Sequence, residues 1–303
     1  MKRVAALDLG TNTFILLILE KADNGHISTI VDEVRTVRLG QELDQTKSLH
    51  PDALGRAENC LNEFSQIIKA HNVHQVRGVA TSAARDAKNG DELFKIAERY
   101  QIPIDIISGN EEARVSFLGS TYGHLQGDES VAVIDIGGGS TEIIIGTSKQ
   151  IAFGKSFDVG GVRMTERYIH VQPVKETEIK QLEKALDEGI CKELQAVSKA
   201  HNPSRMLAVA GTPTAIAAVQ LGGFDTQKVD GYFLSLNDLR KWHDVFGKTT
   251  IEEKQEKYKL SGRADIIFAG ITILIKVVET FGMDGVYVST KGVRYGLALD
   301  MLS

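Results

Sequence analysis

The sequence predicts an α/β fold built from two duplicated domains. Two observations carry that expectation. Short β-branched apolar runs alternate with longer amphipathic stretches along the chain. One strand-turn-strand pattern also occurs twice, a domain length apart. Ala5-Ala6-Leu7-Asp8-Leu9-Gly10-Thr11-Asn12-Thr13 aligns with Ala132-Val133-Ile134-Asp135-Ile136-Gly137-Gly138-Gly139-Ser140. Each then runs into a second β-rich stretch, 15–19 and 143–145. Asp-x-Gly is common in turns, so chance could supply two such hairpins. The matching flanks and the domain-sized offset favour duplication.

In chain order, strands are expected at 4–9, 15–19, 27–37, 75–80, 104–107, 130–136, 142–145, 151–159, 206–210 and 285–288. Helical periodicity covers 52–70, 92–99, 111–122, 175–197, 213–221, 237–246 and 265–281. Within the last, 266–278 is apolar on almost every face, which predicts a buried helix. Gly, Gln and Asp cluster near 123–129 and place the boundary there, giving domains 1–125 and 126–303. The last helix is allowed to pack back on the first domain.

Composition excludes several classes. With 303 residues, 42% apolar and 25% charged, the chain is long enough for two ordinary domains and one sizeable core in each. A net charge of -5 argues against a non-specific nucleic-acid binder, though not against a polyanionic substrate held in a local cationic site. Cys60 and Cys191 show no metal spacing and no disulfide framework. No apolar run approaches the ~18 residues of a membrane span. Asp8 and Gly10 interrupt the short run after Met1-Lys2-Arg3, so no signal peptide is expected and the cytoplasm is the expected location.

A strand ending in Asp and opening into Gly-Gly-Gly-Ser-Thr presents consecutive N–H groups to a close-approaching anion. Gly137, Gly138, Gly139, Ser140 and Thr141 are therefore candidate phosphate contacts, with Thr11, Asn12 and Thr13 their counterparts in the first hairpin. Asp8 and Asp135, at the strand ends, are hard oxygen ligands suited to Mg²⁺. One such turn alone is equally well a tight hairpin; the pair points to phosphate.

Gly211-Thr212-Pro213-Thr214 follows a strand and precedes a helix. It reads as a plain helix start, with Thr212 at the N-cap and Pro213 at the first position, and equally as an anion site at a helix N-terminus. Ser108 and Glu111 fit a capping box, which leaves Glu112 pointing elsewhere from the first turn, where a carboxylate could deprotonate water. Arg85, after the strand ending at Ala80, could clamp phosphate oxygens or be a solvated surface arginine.

Taken together, these motifs resemble the exopolyphosphatase/guanosine pentaphosphate phosphohydrolase family (Ppx/GppA). The resemblance rests on Leu7–Thr13, on Ala80-Thr81-Ser82-Ala83-Ala84-Arg85-Asp86-Ala87 and on Ser108-Gly109-Asn110-Glu111-Glu112-Ala113. It continues through Asp135-Ile136-Gly137-Gly138-Gly139-Ser140-Thr141-Glu142, Gly160-Gly161-Val162-Arg163, Arg263-Ala264-Asp265 and Gly292-Val293-Arg294-Tyr295-Gly296. The motifs span residues 4 to 299 in family order.

The resemblance implies two duplicated domains of the actin-like, sugar-kinase and heat-shock-ATPase type (ribonuclease H-like), with a cleft between them. It implies in-line water attack on a terminal phosphoryl group, with Glu112 as base or water-orienting carboxylate. Asp135 and Glu142 become catalytic carboxylates and, with Asp8, metal ligands for Mg²⁺ or Mn²⁺. Phosphate contacts fall to Thr11, Asn12, Thr13, Arg85, the 137–141 loop, Gly211 and Thr212. Inorganic polyphosphate is the favoured substrate and guanosine pentaphosphate the alternative; neither nucleic acid nor membrane is an expected partner, and homodimers are common among relatives.

Three departures stand out. The third loop reads Ala210-Gly211-Thr212, one glycine fewer than the usual Gly-Gly-Thr form. Phe157-Asp158-Val159-Gly160-Gly161 stands where relatives often have Leu-Pro-x-Gly. The sequence stops at Ser303, where longer relatives continue into a helical region of the His-Asp type, which leaves room for a short-chain preference without deciding it. Two rivals share the fold: an acetate- or sugar-kinase-like phosphotransferase, and a nucleotide-gated binder without turnover. Gly154-Lys155-Ser156 lacks the earlier Walker glycine, and eight scattered histidines supply no zinc cluster.

Overall fold

The expected apolar runs form two mixed sheets, seen in a computed structural model that describes residues 1–125 and 127–303. Gln126, where the second expected domain begins, lies outside the described residues. The chain divides into two compact units, Met1–Gly119 with Gly292–Ser303, and Ser120–Lys291.

In the first unit the strands are β1 (Lys2–Leu9), β2 (Thr13–Lys21), β3 (Ile27–Thr36), β4 (Gln75–Ala80) and β5 (Ile104–Ile106). Their order is β3-β2-β1-β4-β5, an antiparallel meander joined to parallel β4 and β5. Side chains alternate between the faces of β1. Ala5, Leu7 and Leu9 pack with Leu54, Leu61 and Phe64 of the helix Pro51–Ala70. Val4 and Ala6 pack on the other side with Val293, Leu297 and Ala298 of the C-terminal helix Val293–Leu302. Alternation puts Asp8 on this second face, at the strand's carboxyl end.

In the second unit the strands are β6 (Val131–Ile136), β7 (Thr141–Gly146), β8 (Ile151–Phe157), β9 (Arg205–Val209), β10 (Phe233–Ser235) and β11 (Gly285–Val288). Their order is β10-β11-β9-β6-β7-β8, with β6, β9 and β11 parallel. Reading outward from the meander, β8-β7-β6-β9-β11 repeats β3-β2-β1-β4-β5, and β10 is added at the edge. The duplication read from the two hairpins therefore extends through both sheets. Ala132, Ile134 and Ile136 face the core with Phe246, Phe268 and Leu274, which leaves Asp135 on the opposite face.

Several expectations shift. The single helix expected at 175–197 is two, Glu176–Leu186 and Lys192–His201, joined by a π turn at Asp187–Cys191. Gly189 sits there at φ -94, ψ -105, outside helical space, and breaks the register. The short helices Gly161–Tyr168 and Ile251–Glu256 and the strand β10 are too brief to show a period. The helix Ile267–Thr280 is buried along nearly all its length, as its composition predicts. Asp230 ties the two ends of the second unit together, accepting from His124 at 3.1 Å, Thr290 N–H at 2.9 Å and Lys291 Nζ at 3.0 Å. Burial alone would raise its carboxyl; these donors hold it well below the usual carboxylate range.

Burial also pushes His243 down from its ordinary 6.5, against the carboxylates of Asp244 and Glu279. Its ring lies 4.5 Å from that of Phe268, and Nε2 is 3.1 Å from Thr272 Oγ1. The folded state prefers the neutral imidazole, so below pH ~6.5 the unfolded chain binds more protons at this residue. Stability from this group is full above the unfolded value and is lost as pH falls through that window. Urea midpoints of the wild type and His243→Gln should therefore diverge less at pH 5 than at pH 8. An unchanged difference would show that His243 does not titrate differently on folding.

Candidate active site

The functional candidates of the first unit gather at the carboxyl ends of β1, β4 and β5, where α/β sheets place their ligands. The β1–β2 turn is closed by Gly10 N–H donating to Thr13 O at 3.0 Å. Its carbonyls are held from behind: Thr11 O accepts from Gly40 N–H at 2.9 Å, and Asn12 O from Val37 and Arg38 N–H at 3.0 and 2.9 Å. Thr11 is buried, while Asn12 and Thr13 are partly exposed. From the end of β4, the helix Ser82–Asp86 carries Arg85. Arg85 Nη1 donates to Glu112 Oε2 at 3.1 Å and to Ile107 O at 3.0 Å. One guanidinium nitrogen thus satisfies both contacts, and its fork has further donors.

Glu112 lies in the first turn of the helix Gly109–Thr121, 6% exposed. Ser108 Oγ accepts from Glu111 N–H at 3.2 Å, the forward half of the expected capping box. The reciprocal half is a correction: the Glu111 carboxylate turns to Arg114, at 2.9 Å from both Nε and Nη2. A guanidinium three residues along the helix is a stronger partner than a backbone N–H. Asp8 lies within electrostatic reach of Arg294, which grips Asp32 in a bidentate pair at 2.8 and 2.9 Å. Burial would lower the Arg294 guanidinium, but Asp32 above all, with smaller contributions from Tyr295 and Asp8, holds it above its ordinary value.

In the second unit the same turn recurs after β6. Gly137 N–H donates to Ser140 O at 2.9 Å, matching the Gly10–Thr13 bond. Here too the carbonyls are held from behind. Gly137 O accepts from Gly161 N–H at 2.9 Å, Gly138 O from Val162 and Arg163 N–H at 2.8 and 3.0 Å, and Gly139 O from Arg163 Nε at 2.7 Å. A trans peptide points its N–H opposite its carbonyl. The N–H groups of Gly138, Gly139 and Ser140 therefore face away from the helix Gly161–Tyr168, and none bonds a backbone carbonyl among the described residues. Three successive N–H groups aimed one way form an anion-binding concavity. In both units the clamp follows the third strand of the meander, 37–40 after β3 and 160–163 after β8.

Thr141 requires a correction. It is fully buried, and its hydroxyl donates to Val159 O at 2.6 Å, so it anchors the loop instead of offering an O–H to phosphate. Asp135 and Glu142 stand directly opposite each other on β6 and β7, and Glu142 faces Ser156 on β8. They are 7% and 1% exposed, and Ser156 Oγ donates to Glu142 Oε1 at 2.6 Å. Cross-strand neighbours on one face lie about 5 Å apart at Cβ. Among the described residues no group of three or more His, Cys, Asp or Glu side chains is gathered to hold a metal ion. The donor set in this unit is a carboxylate pair.

The third loop follows β9, with Gly211 and Thr212 opening the helix Gly211–Leu221. Thr212 is not the N-cap; Ala210 is, with φ 71 and ψ -164. That backbone region suits glycine, and an L side chain there costs roughly 1–3 kcal/mol. The position where the family pattern carries its additional glycine is thus the strained one. Ala210→Gly is expected to stabilise the protein by about 1 kcal/mol after the added unfolded-state entropy, read as a higher urea midpoint. An unchanged or lower midpoint would show that no strain is stored there.

Behind this loop, Arg263 presses its guanidinium on Gly211, where any side chain would collide with it, and Gly270 makes room for Thr212. Burial pushes the guanidinium below its ordinary value, and no carboxylate pairs with it among the described residues. A cation so placed beside a helix N-terminus has the chemistry to bind a phosphate. Arg263, Arg163 and the 37–40 clamp were not among the expected site residues. The only sequence signal for the two arginines was their place in the Arg-Ala-Asp and Gly-Gly-Val-Arg motifs, and the 37–40 segment gave none.

Comparison with known proteins agrees over nearly the whole chain. The family model described as "Ppx/GppA phosphatase family" matches residues 18–303. The chain is 31% identical to "Exopolyphosphatase 2" of Mycobacterium tuberculosis, covering 99% of each protein. It is 30% identical to part of the "Bifunctional 3-dehydroquinate synthase/phosphatase" of Fusobacterium nucleatum, covering 98% of this chain and 46% of that protein. Among solved structures, an exopolyphosphatase from Cytophaga hutchinsonii superposes with a TM-score of 0.91 at 28% identity, covering 99% of this chain and 98% of that one. A Ppx/GppA family member from Aquifex aeolicus superposes at 0.82 with 31% identity, covering 99% and 97%.

Proposed function

The chain belongs to the Ppx/GppA phosphatase family, and from that premise we propose that it is an exopolyphosphatase, releasing terminal phosphate from inorganic polyphosphate by water attack. The observation that carries this reading is the 137–140 loop, whose Gly137, Gly138 and Gly139 carbonyls are held from behind so that three N–H groups point one way, beside the Asp135–Glu142 pair.

The N–H groups of Gly138, Gly139 and Ser140 take the oxygens of a phosphoryl group, and Arg263 with the start of the helix Gly211–Leu221 takes a neighbouring phosphate. Thr11, Asn12 and Thr13 supply the corresponding turn of the first unit. Glu112, held by Arg85, orients the attacking water and accepts its proton. Such a reaction asks the protein mainly for positioning and for neutralising charge on the phosphoryl oxygens. Asp135 and Glu142 fit Mg²⁺, which binds through one or two carboxylates and keeps waters and substrate oxygens as its other ligands. When bound, the ion neutralises negative charge on the phosphates. Asp8, already near Arg294, takes the supporting place in the first unit.

The test is orthophosphate release with Mg²⁺ from long polyphosphate, short polyphosphate, guanosine pentaphosphate and ATP at equal concentrations of chain ends. Fastest release from a polyphosphate is the expected result. Fastest release from guanosine pentaphosphate would transfer the same chemistry to that substrate. No release from any of the four would overturn the reading. Chelation by EDTA should abolish turnover, and Mg²⁺ should restore it; full activity in EDTA would remove the metal from the proposal.

A further inference from the structure

Lys254 is an ammonium with no exposed surface at all, on the short helix Ile251–Glu256. Burial pushes it down to about 8, against the carboxylates of Asp265 and Glu253. A buried charge is costly, and an apolar side chain of similar volume would fill the space more cheaply. Its contacts show what the charge does. Nζ donates to Gln172 Oε1, and Gln172 Nε2 donates to the Asp265 carbonyl at 2.6 Å. The Lys254 carbonyl itself accepts from Leu260 N–H at 3.1 Å. One residue thus holds both ends of the segment 260–265. In the middle lies Arg263, whose N–H donates to Leu260 O at 3.1 Å and whose guanidinium lies on Gly211.

We propose that Lys254 is a positioning residue for the phosphate site: through Gln172 and its own main chain it fixes the segment 260–265 so that the Arg263 guanidinium stays on the Gly211 loop. This rests on the reading of Arg263 as a phosphate ligand. Lys254 touches no substrate; it acts through Arg263 alone.

The experiment is a double-mutant cycle on kcat/KM for phosphate release from short polyphosphate, with Lys254→Met, Arg263→Gln, the double variant and Lys254→Arg. Arg263→Gln and Lys254→Met should each lower kcat/KM by about tenfold or more, the scale of a misplaced binding group. The double variant should be no worse than Arg263→Gln, and Lys254→Arg should recover most of the loss. A double variant reduced by the product of both single losses would overturn the positioning role. So would wild-type kcat/KM in folded Lys254→Met. If Lys254→Met does not fold, Gln172→Glu serves: it still accepts from Lys254 but cannot donate to Asp265. That variant should show the same loss, masked in the same way by Arg263→Gln; wild-type kcat/KM in folded Gln172→Glu would equally overturn the proposal. If folded Arg263→Gln itself keeps wild-type kcat/KM, the phosphate role of Arg263 falls, and the proposal with it, separately from any failure of the Lys254 link.

Discussion

Glu112→Gln is expected to lower kcat by about 10²–10⁴-fold, the usual contribution of a general base, while the protein stays folded. The substitution keeps the shape of the side chain. Its amide oxygen can still accept from Arg85 Nη1, which sits 3.1 Å from Glu112 Oε2. The helix start is equally undisturbed, because Ser108 caps through Glu111 N–H and not through Glu112. What disappears is the negative charge and the basicity, at a residue 6% exposed and held by one guanidinium nitrogen of the partly exposed Arg85. The loss should fall on kcat more than on KM, since a base acts in the transition state. Phosphate-release kinetics with a melting curve on the same sample decide it. A folded Glu112→Gln variant with unchanged kcat would remove Glu112 from the chemistry.

Gly160→Ala is expected to cost about 10²-fold in kcat/KM, although residue 160 touches no reacting atom. A Cβ at this position would lie 2.4 Å from Gly138 O, 2.5 Å from Gly138 C and 2.7 Å from Gly139 C. All three are backbone atoms and cannot rotate away. Either the helix Gly161–Tyr168 retreats or the glycine loop is pushed out, and both break the bonds that orient the three N–H groups. Overpacking of this kind costs roughly 1–3 kcal/mol, so the variant should still fold but melt earlier. Gly154→Ala on β8 is the control, since a Cβ there meets only side-chain atoms at 3.7 and 4.0 Å. If Gly160→Ala matches Gly154→Ala in kcat/KM, the loop does not depend on its clamp.

These two residues also mark where the sequence could be read and where it could not. The hairpins around Asp8 and Asp135 are local: apolar alternation and Asp-x-Gly lie within a few residues. The clamps are not local. Gly40 and Gly161 each donate a backbone N–H to a turn far away in sequence, and a backbone donor leaves no signature in residue type. Arg263 stands in the sequence only as part of the Arg-Ala-Asp motif, and its place on Gly211 is long-range packing that the motif does not show. Thr141 and Glu111 misled for the opposite reason. Their residue types suited one role, and a nearer partner, Val159 O or Arg114, took the side chain for another. Ala210 was visible as a departure from a glycine pattern, but only its φ of 71 shows what the departure costs.

The central claim is that water, and no other acceptor, takes the terminal phosphoryl group. Turnover of short polyphosphate in water enriched in heavy oxygen tests it most directly, with mass spectrometry of the released orthophosphate and of the shortened chain. The account predicts one solvent oxygen in each orthophosphate released and none in the new chain end. Label at the chain end instead, or orthophosphate without label, would contradict it.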